Sequence, residues 1–103
     1  MTTIKDFNVR AVGVPWVRKD DYEAFLLVSE DADQLPETWE KFTQYTKMFE
    51  NKWKADGYIV ERTYIDPETF PDWCAKNGVR VNTEGRKKFA AVVVAEKYGR
   101  NVS

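Results

Sequence analysis

A chain of 103 residues with 17 acidic and 16 basic side chains, 43% apolar residues and a net charge of −1 has the size and make-up of one small globular domain. The near-neutral balance provides no overall field to draw it to nucleic acid or an anionic membrane. Having no histidine and one cysteine, Cys74, it has no Ser-His-Asp or Cys-His machinery, no histidine metal site, no internal disulfide and no closed zinc site.

No apolar run approaches the ~20 residues of a membrane helix. The start, MTTIKDFNVR, lacks a signal peptide's apolar stretch. The expectation is a cytoplasmic protein with no membrane contact and no cofactor.

In residues 1–19, Phe7, Val9, Ala11 and Val12-Gly13-Val14 alternate loosely, which suits a short strand; a mobile arm is the alternative. Pro15 ends such a strand or confines it to an edge. Asp20 then reads as an N-cap, with Glu23 three residues on as in a capping box. Tyr22, Phe25, Leu26 and Ser29 form that helix's inner face. The run Ala24 to Val28 is also compatible with a buried strand; the acidic cap and the shortage of β-branched residues favour helix. Ser29 to Gln34 reads as a solvated acidic loop.

Leu35 to Gly57 carries the clearest helical period. Trp39, Phe42, Tyr45, Phe49 and Trp53 recur at steps of three and four, so they share one face, read as core. Pro36 suits the first turn and Asp56-Gly57 the stop. Tyr58 to Ile65 is β-branched and aromatic and reads as a strand. Its partner must be the N-terminal segment or the same strand of a second copy, the main hint of a homodimer.

A short helix follows, starting at Asp66-Pro67-Glu68 or at Thr69 with Asp72 three on. Phe70, Trp73 and Cys74 share its inner face, and Asn77-Gly78 stops it. Val79 to Val81 is a connector. Asn82 or Thr83 caps a last helix that runs to about Tyr98, with Gly99 as its stop. Phe89, Val92 and Val93 line one side; Ala90, Ala91, Val94 and Ala95 make other sides apolar too, which suggests burial against the core and a partner. Residues 100–103 read as a frayed tail. The expected fold is a single α+β domain over 1–103, with three to four helices and one or two short strands.

Several of these stretches recur together: Asp21-Tyr22, Asp33 to Trp39 with Phe42, the step from Gly57 into Ile65, Ile65 to Cys74 (I-D-P-E-x-F-x-x-W-C), and Gly85-Arg86 with Phe89-Ala90. The set resembles that of a group of small uncharacterised bacterial proteins. The resemblance implies a shared fold unit and a bacterial cytoplasmic setting, and carries no activity. The chain departs from the pattern at Gly85, where those proteins tend to carry Ala, a change expected to weaken the start of the last helix.

Candidate chemistry is sparse. Cys74 is the one candidate reactive thiol; its alternative is a small buried apolar residue. Glu30, Asp31 and Asp33 lack the Gly and terminal Glu of a calcium loop. Arg80, Arg86, Lys87 and Lys88 form the one basic cluster and a candidate binding surface. Arg86 to Lys88 sit in the first turn of a helix, the end whose dipole disfavours cations. A carboxylate elsewhere in the fold, an anionic protein partner or phosphate would rationalise them. No phosphate loop, GxSxG or HExxH is present. The expectation is a non-enzymatic protein-interaction module that binds another protein or a second copy of itself. A nucleic-acid-associated accessory protein using the basic start of the last helix comes next, and an enzyme built on Cys74 or tyrosine hydroxyls third.

Overall fold

The computed structural model describes residues 10–99. The expected strand residues Phe7 and Val9 and the tail at 100–103 lie outside them. Two parallel strands and four α-helices form an α+β domain: β1 (Ala11–Trp16), α1 (Tyr22–Val28), α2 (Trp39–Ala55), β2 (Ile59–Tyr64), α3 (Phe70–Lys76) and α4 (Thr83–Tyr98).

The N-terminal segment supplies the partner that β2 needs. The strands pair from Ala11 opposite Ile59 to Trp16 opposite Tyr64. The Ile59 N–H donates to the Arg10 carbonyl at 2.7 Å and the Ile65 N–H to the Trp16 carbonyl at 2.9 Å. Backbone groups of successive strand residues point to opposite sides, so Arg10, Val12, Val14 and Trp16 face β2 while Ala11, Gly13 and Pro15 turn theirs away. Pro15 is therefore tolerated inside a strand: its missing N–H falls on the outer edge.

A helix covers each face of the sheet. On one side Trp16 meets Phe42 of α2, ring centroids 6.2 Å apart. On the other, α4 lies so close that a Cβ on Gly13 would sit 2.7 Å from the Ala90 carbonyl oxygen and 2.9 Å from Val94 Cγ2. Glycine at this position is what allows the helix to rest on the strand.

The main core lies beyond the carboxyl ends of both strands. Val17 and Ile65, the residues that leave the strands, cluster there with Tyr22, Phe25, Phe70 and Cys74, and Leu35, Trp39, Phe42, Trp73 and Phe89 pack around them. Two long-range bonds tie it: the Tyr22 hydroxyl donates to the Pro36 carbonyl at 2.5 Å, and the Trp39 indole N–H to the Val17 carbonyl at 2.8 Å.

The helix starts correct several expectations. The chain enters α1 through a 3-10 turn, Lys19–Asp21, and neither Asp21 at the cap nor an Asp20–Glu23 box makes a capping bond. Thr38 caps α2, its hydroxyl accepting from the Lys41 N–H at 3.2 Å, so Pro36 precedes the helix rather than filling its first turn. α3 takes the later of its two starts, at Thr69, while Asp66 accepts from the Glu68 N–H at 2.9 Å in a turn of its own. Asn82 caps α4, accepting from the Gly85 N–H at 3.1 Å.

The aromatic stripe of α2 is only partly core. Trp39 and Phe42 join the cluster and Trp53 is half-buried, but Tyr45 and Phe49 are 59% and 58% exposed. The residues that face the sheet are Thr43, Thr46 and Glu50. Adjacent strands lie about 5 Å apart, so a two-stranded sheet covers only a narrow strip of a helix. Bulky side chains fit at the helix's N-terminal end, where α1 and α3 thicken the core. Along the sheet, small threonines allow closer approach, and their hydroxyls are satisfied by the Glu40 and Phe42 carbonyls at 2.9 and 2.8 Å.

Candidate interaction surface

The tertiary structure disperses the basic cluster. Arg86 is buried, not on a surface. Its guanidinium grips Asp31 with two bonds, Nη1 to Oδ1 at 3.1 Å and Nη2 to Oδ2 at 2.6 Å. The Thr83 hydroxyl donates to the same carboxylate at 3.0 Å. Arg80 meets Glu30 at 2.6 Å, and the Glu30 N–H donates to the Val81 carbonyl at 2.8 Å. Lys88 donates to the Asn77 carbonyl at 3.3 Å. Lys87 alone stays loosely held, 3.9 Å from Glu84 and well exposed. The solvated acidic loop expected at 29–34 is thus the counterpart of the basic cluster: Glu30 and Asp31 hold the entrance of α4.

Cys74 is 1% exposed and sits beneath Gly85. Burial pushes its thiol up, and the nearby Arg86 charge only partly opposes this. A thiol so placed is mostly protonated at neutral pH, the weakly nucleophilic form. Among the described residues, no group of three or more Cys, Asp or Glu is placed to hold a metal ion, and no helix is long and apolar enough to cross a membrane.

The surface features gather elsewhere, along the outer edge of β1. Among the described residues no strand pairs with that edge. A groove runs on each side of it. One, about 650 Å³, lies between Ala11, Gly13 and Pro15 and the small residues Ala91, Val94 and Ala95 of α4. The other, about 430 Å³, lies between Val12 and Val14 and the aromatic pair Phe49 and Trp53 of α2. Phe49 continues into a third hollow of about 460 Å³ with Tyr45, Leu35 and Pro36. Met48 on the same helix is 66% exposed.

An ion pair with a buried carboxylate lies beside this surface. Glu50, 4% exposed, receives two bonds from Arg62 of β2, at 2.7 and 3.1 Å, and the guanidinium stacks 3.8 Å from the Trp16 ring centroid. This cluster pins α2 to the sheet beside the grooves. Sequence reasoning missed it: Glu50 follows Phe49 on a helix dense with charge, and nothing local marks it as buried. The edge position did leave a trace, since one of the two readings of Pro15 is confinement of the strand to an edge.

Comparison with protein-family models, with characterised proteins and with solved structures finds no match.

Proposed function

We propose that this protein is a non-enzymatic interaction module that binds another protein through the surface formed by the outer edge of β1 and the outer side of α2. The observation that carries the reading is the exposure of Tyr45, Met48 and Phe49 on one helix, contiguous with two apolar grooves. Aromatic residues and methionine are the types enriched in protein interfaces, and a grouped apolar surface of this kind marks a contact site. The displaced carboxylates already have partners, and the raised Cys74 thiol is shut away by burial. Asp31 is held by Arg86, and Glu61 by Lys97 and Tyr98 at 3.1 and 3.0 Å.

The nucleic-acid alternative has little left to rest on. With Arg86 buried against Asp31, the basic start of α4 offers at most Arg80, exposed but paired with Glu30, and Lys87 and Lys88 to meet phosphates. So few contacts give weak, salt-sensitive binding.

The test is site-directed photocrosslinking in producing cells, with a benzophenone side chain at position 49 and a control at the exposed Glu23. The reading expects protein adducts at 49 above the control level. Equal or absent adducts at the two positions overturn it. Tight binding to any nucleic acid at physiological salt would replace it with the alternative.

A further inference from the structure

We infer that the outer edge of β1 takes up an extended segment of a partner protein as a third strand, one with alternating apolar side chains and an acidic residue beside Lys87. The inference rests on the interaction-module reading and specifies its binding mode.

Three observations converge on it. First, the edge has hydrogen-bonding capacity. Ala11 and Gly13 turn both N–H and C=O outward, and Pro15 adds a carbonyl, as the β1–β2 register requires. Second, the grooves lie on opposite faces of this one strand, the α4 side against Ala11 and Gly13 and the α2 side against Val12 and Val14. Successive side chains of an added strand point to opposite faces, so each would enter its own groove. Strand addition works this way, main-chain bonds providing affinity and alternate pockets providing specificity. A docked helix would use neither feature.

Third, the grooves are electrically polarised. Phe42, near the start of α2, meets Trp16, and Arg86, in the first turn of α4, reaches into the core past β1's end. Both helices therefore point their positive ends toward the Trp16 end of the strand. Lys87 borders both grooves there, while at the other end, by the helix C-termini, lie Gly99 on one side and Lys52 with Asp56 on the other, a cation and an anion together. The loosely held Lys87 is the cation in these grooves best placed to receive a carboxylate from the partner.

The test is selection of random decapeptides displayed on phage against the folded chain, followed by affinity measurements with synthetic copies of the enriched sequences. The inference expects alternating apolar residues with a nearby Asp or Glu. Ala11→Pro removes an outward N–H that β2 does not use and should weaken these peptides about three- to tenfold, as should N-methylation of alternate peptide residues. The second measurement leaves the protein unaltered, so it stands even if Ala11→Pro folds poorly. Lys87→Glu should weaken the acidic peptides, and reselection on that variant should enrich Lys or Arg.

No enrichment, or peptides indifferent to both Ala11→Pro and N-methylation, would overturn strand addition. So would a dimer in sedimentation velocity that Ala11→Pro dissolves, which would assign the edge to a second copy. Peptides lost on Phe49→Ser but unaffected by Ala11→Pro would sink this inference while leaving the interaction-module reading intact.

Discussion

Asp31 and Arg86 are 55 residues apart and form a two-pronged ion pair with side chains 13% and 8% exposed. Each resolves what is odd about the other. Arg86 is a cation in the first turn of a helix, where the dipole disfavours it. Asp31 belongs to an acidic stretch with no apparent use. Joined, they fasten the loop after α1 to the start of α4, over the Phe25 ring.

This pair makes stability depend on pH in a defined direction. Burial acts to raise the Asp31 carboxyl, but hydrogen bonds from Arg86 and Thr83 and the Arg86 charge outweigh it, leaving it below the usual carboxylate range. A depressed group stabilises fully above its unfolded value, near about 3.9, and loses that contribution as pH falls through the folded value. In urea titrations Asp31→Asn should be weaker than the parent by about 3 kcal/mol at neutral pH, because it strands a buried charge. The gap should narrow toward pH 3. A gap that stays constant with pH would show that the pair contributes nothing through its ionisation.

Gly85→Ala sets two effects against each other. Helix propensity favours alanine by about 1 kcal/mol. Against this, a Cβ at this position would lie 2.0 Å from the Arg80 carbonyl oxygen and 3.4 Å from Cys74 Sγ. Backbone cannot yield as a flexible side chain can, so the variant should lose about 2 kcal/mol or more by thermal or urea unfolding. A stabilised variant would mean that the 80–82 connector moves freely.

Cys74 should label slowly with a thiol reagent in the folded protein and quickly in denaturant, given its burial and raised thiol. Rapid labelling of the native state would show a thiolate exposed by local opening and bring redox chemistry back into consideration.

Phe49→Ser should leave stability within about 0.5 kcal/mol of the parent, as surface changes do. Phe25→Ala, at 1% exposure, should cost about 3–5 kcal/mol. The pair of measurements separates the exposed and buried aromatics; comparable losses would place Phe49 in the core after all.

What the chain determines by itself is local. Period and end signals placed the helix through Trp39 to Trp53, the strand through Ile59 to Tyr64, the Asn77-Gly78 stop and a cap at Asn82 or Thr83, of which the structure uses Asn82, because such signals act within a few residues along the backbone. Pro15 narrowed the first strand to one that ends there or lies at an edge for the same reason, and the pairing with β2 decided for the edge. Tertiary structure decided which side of a feature matters. An aromatic stripe states that five side chains share a face, not how much sheet exists to cover them. Two strands cover only a narrow strip, so Tyr45 and Phe49 stayed in solvent while Thr43, Thr46 and Glu50 went inside. Charge worked likewise. A run of cations resembled a surface until the fold brought Asp31 and Glu30 to meet Arg86 and Arg80. Pairing across 50 or more residues depends on where helices come to rest, and no local spacing encodes that.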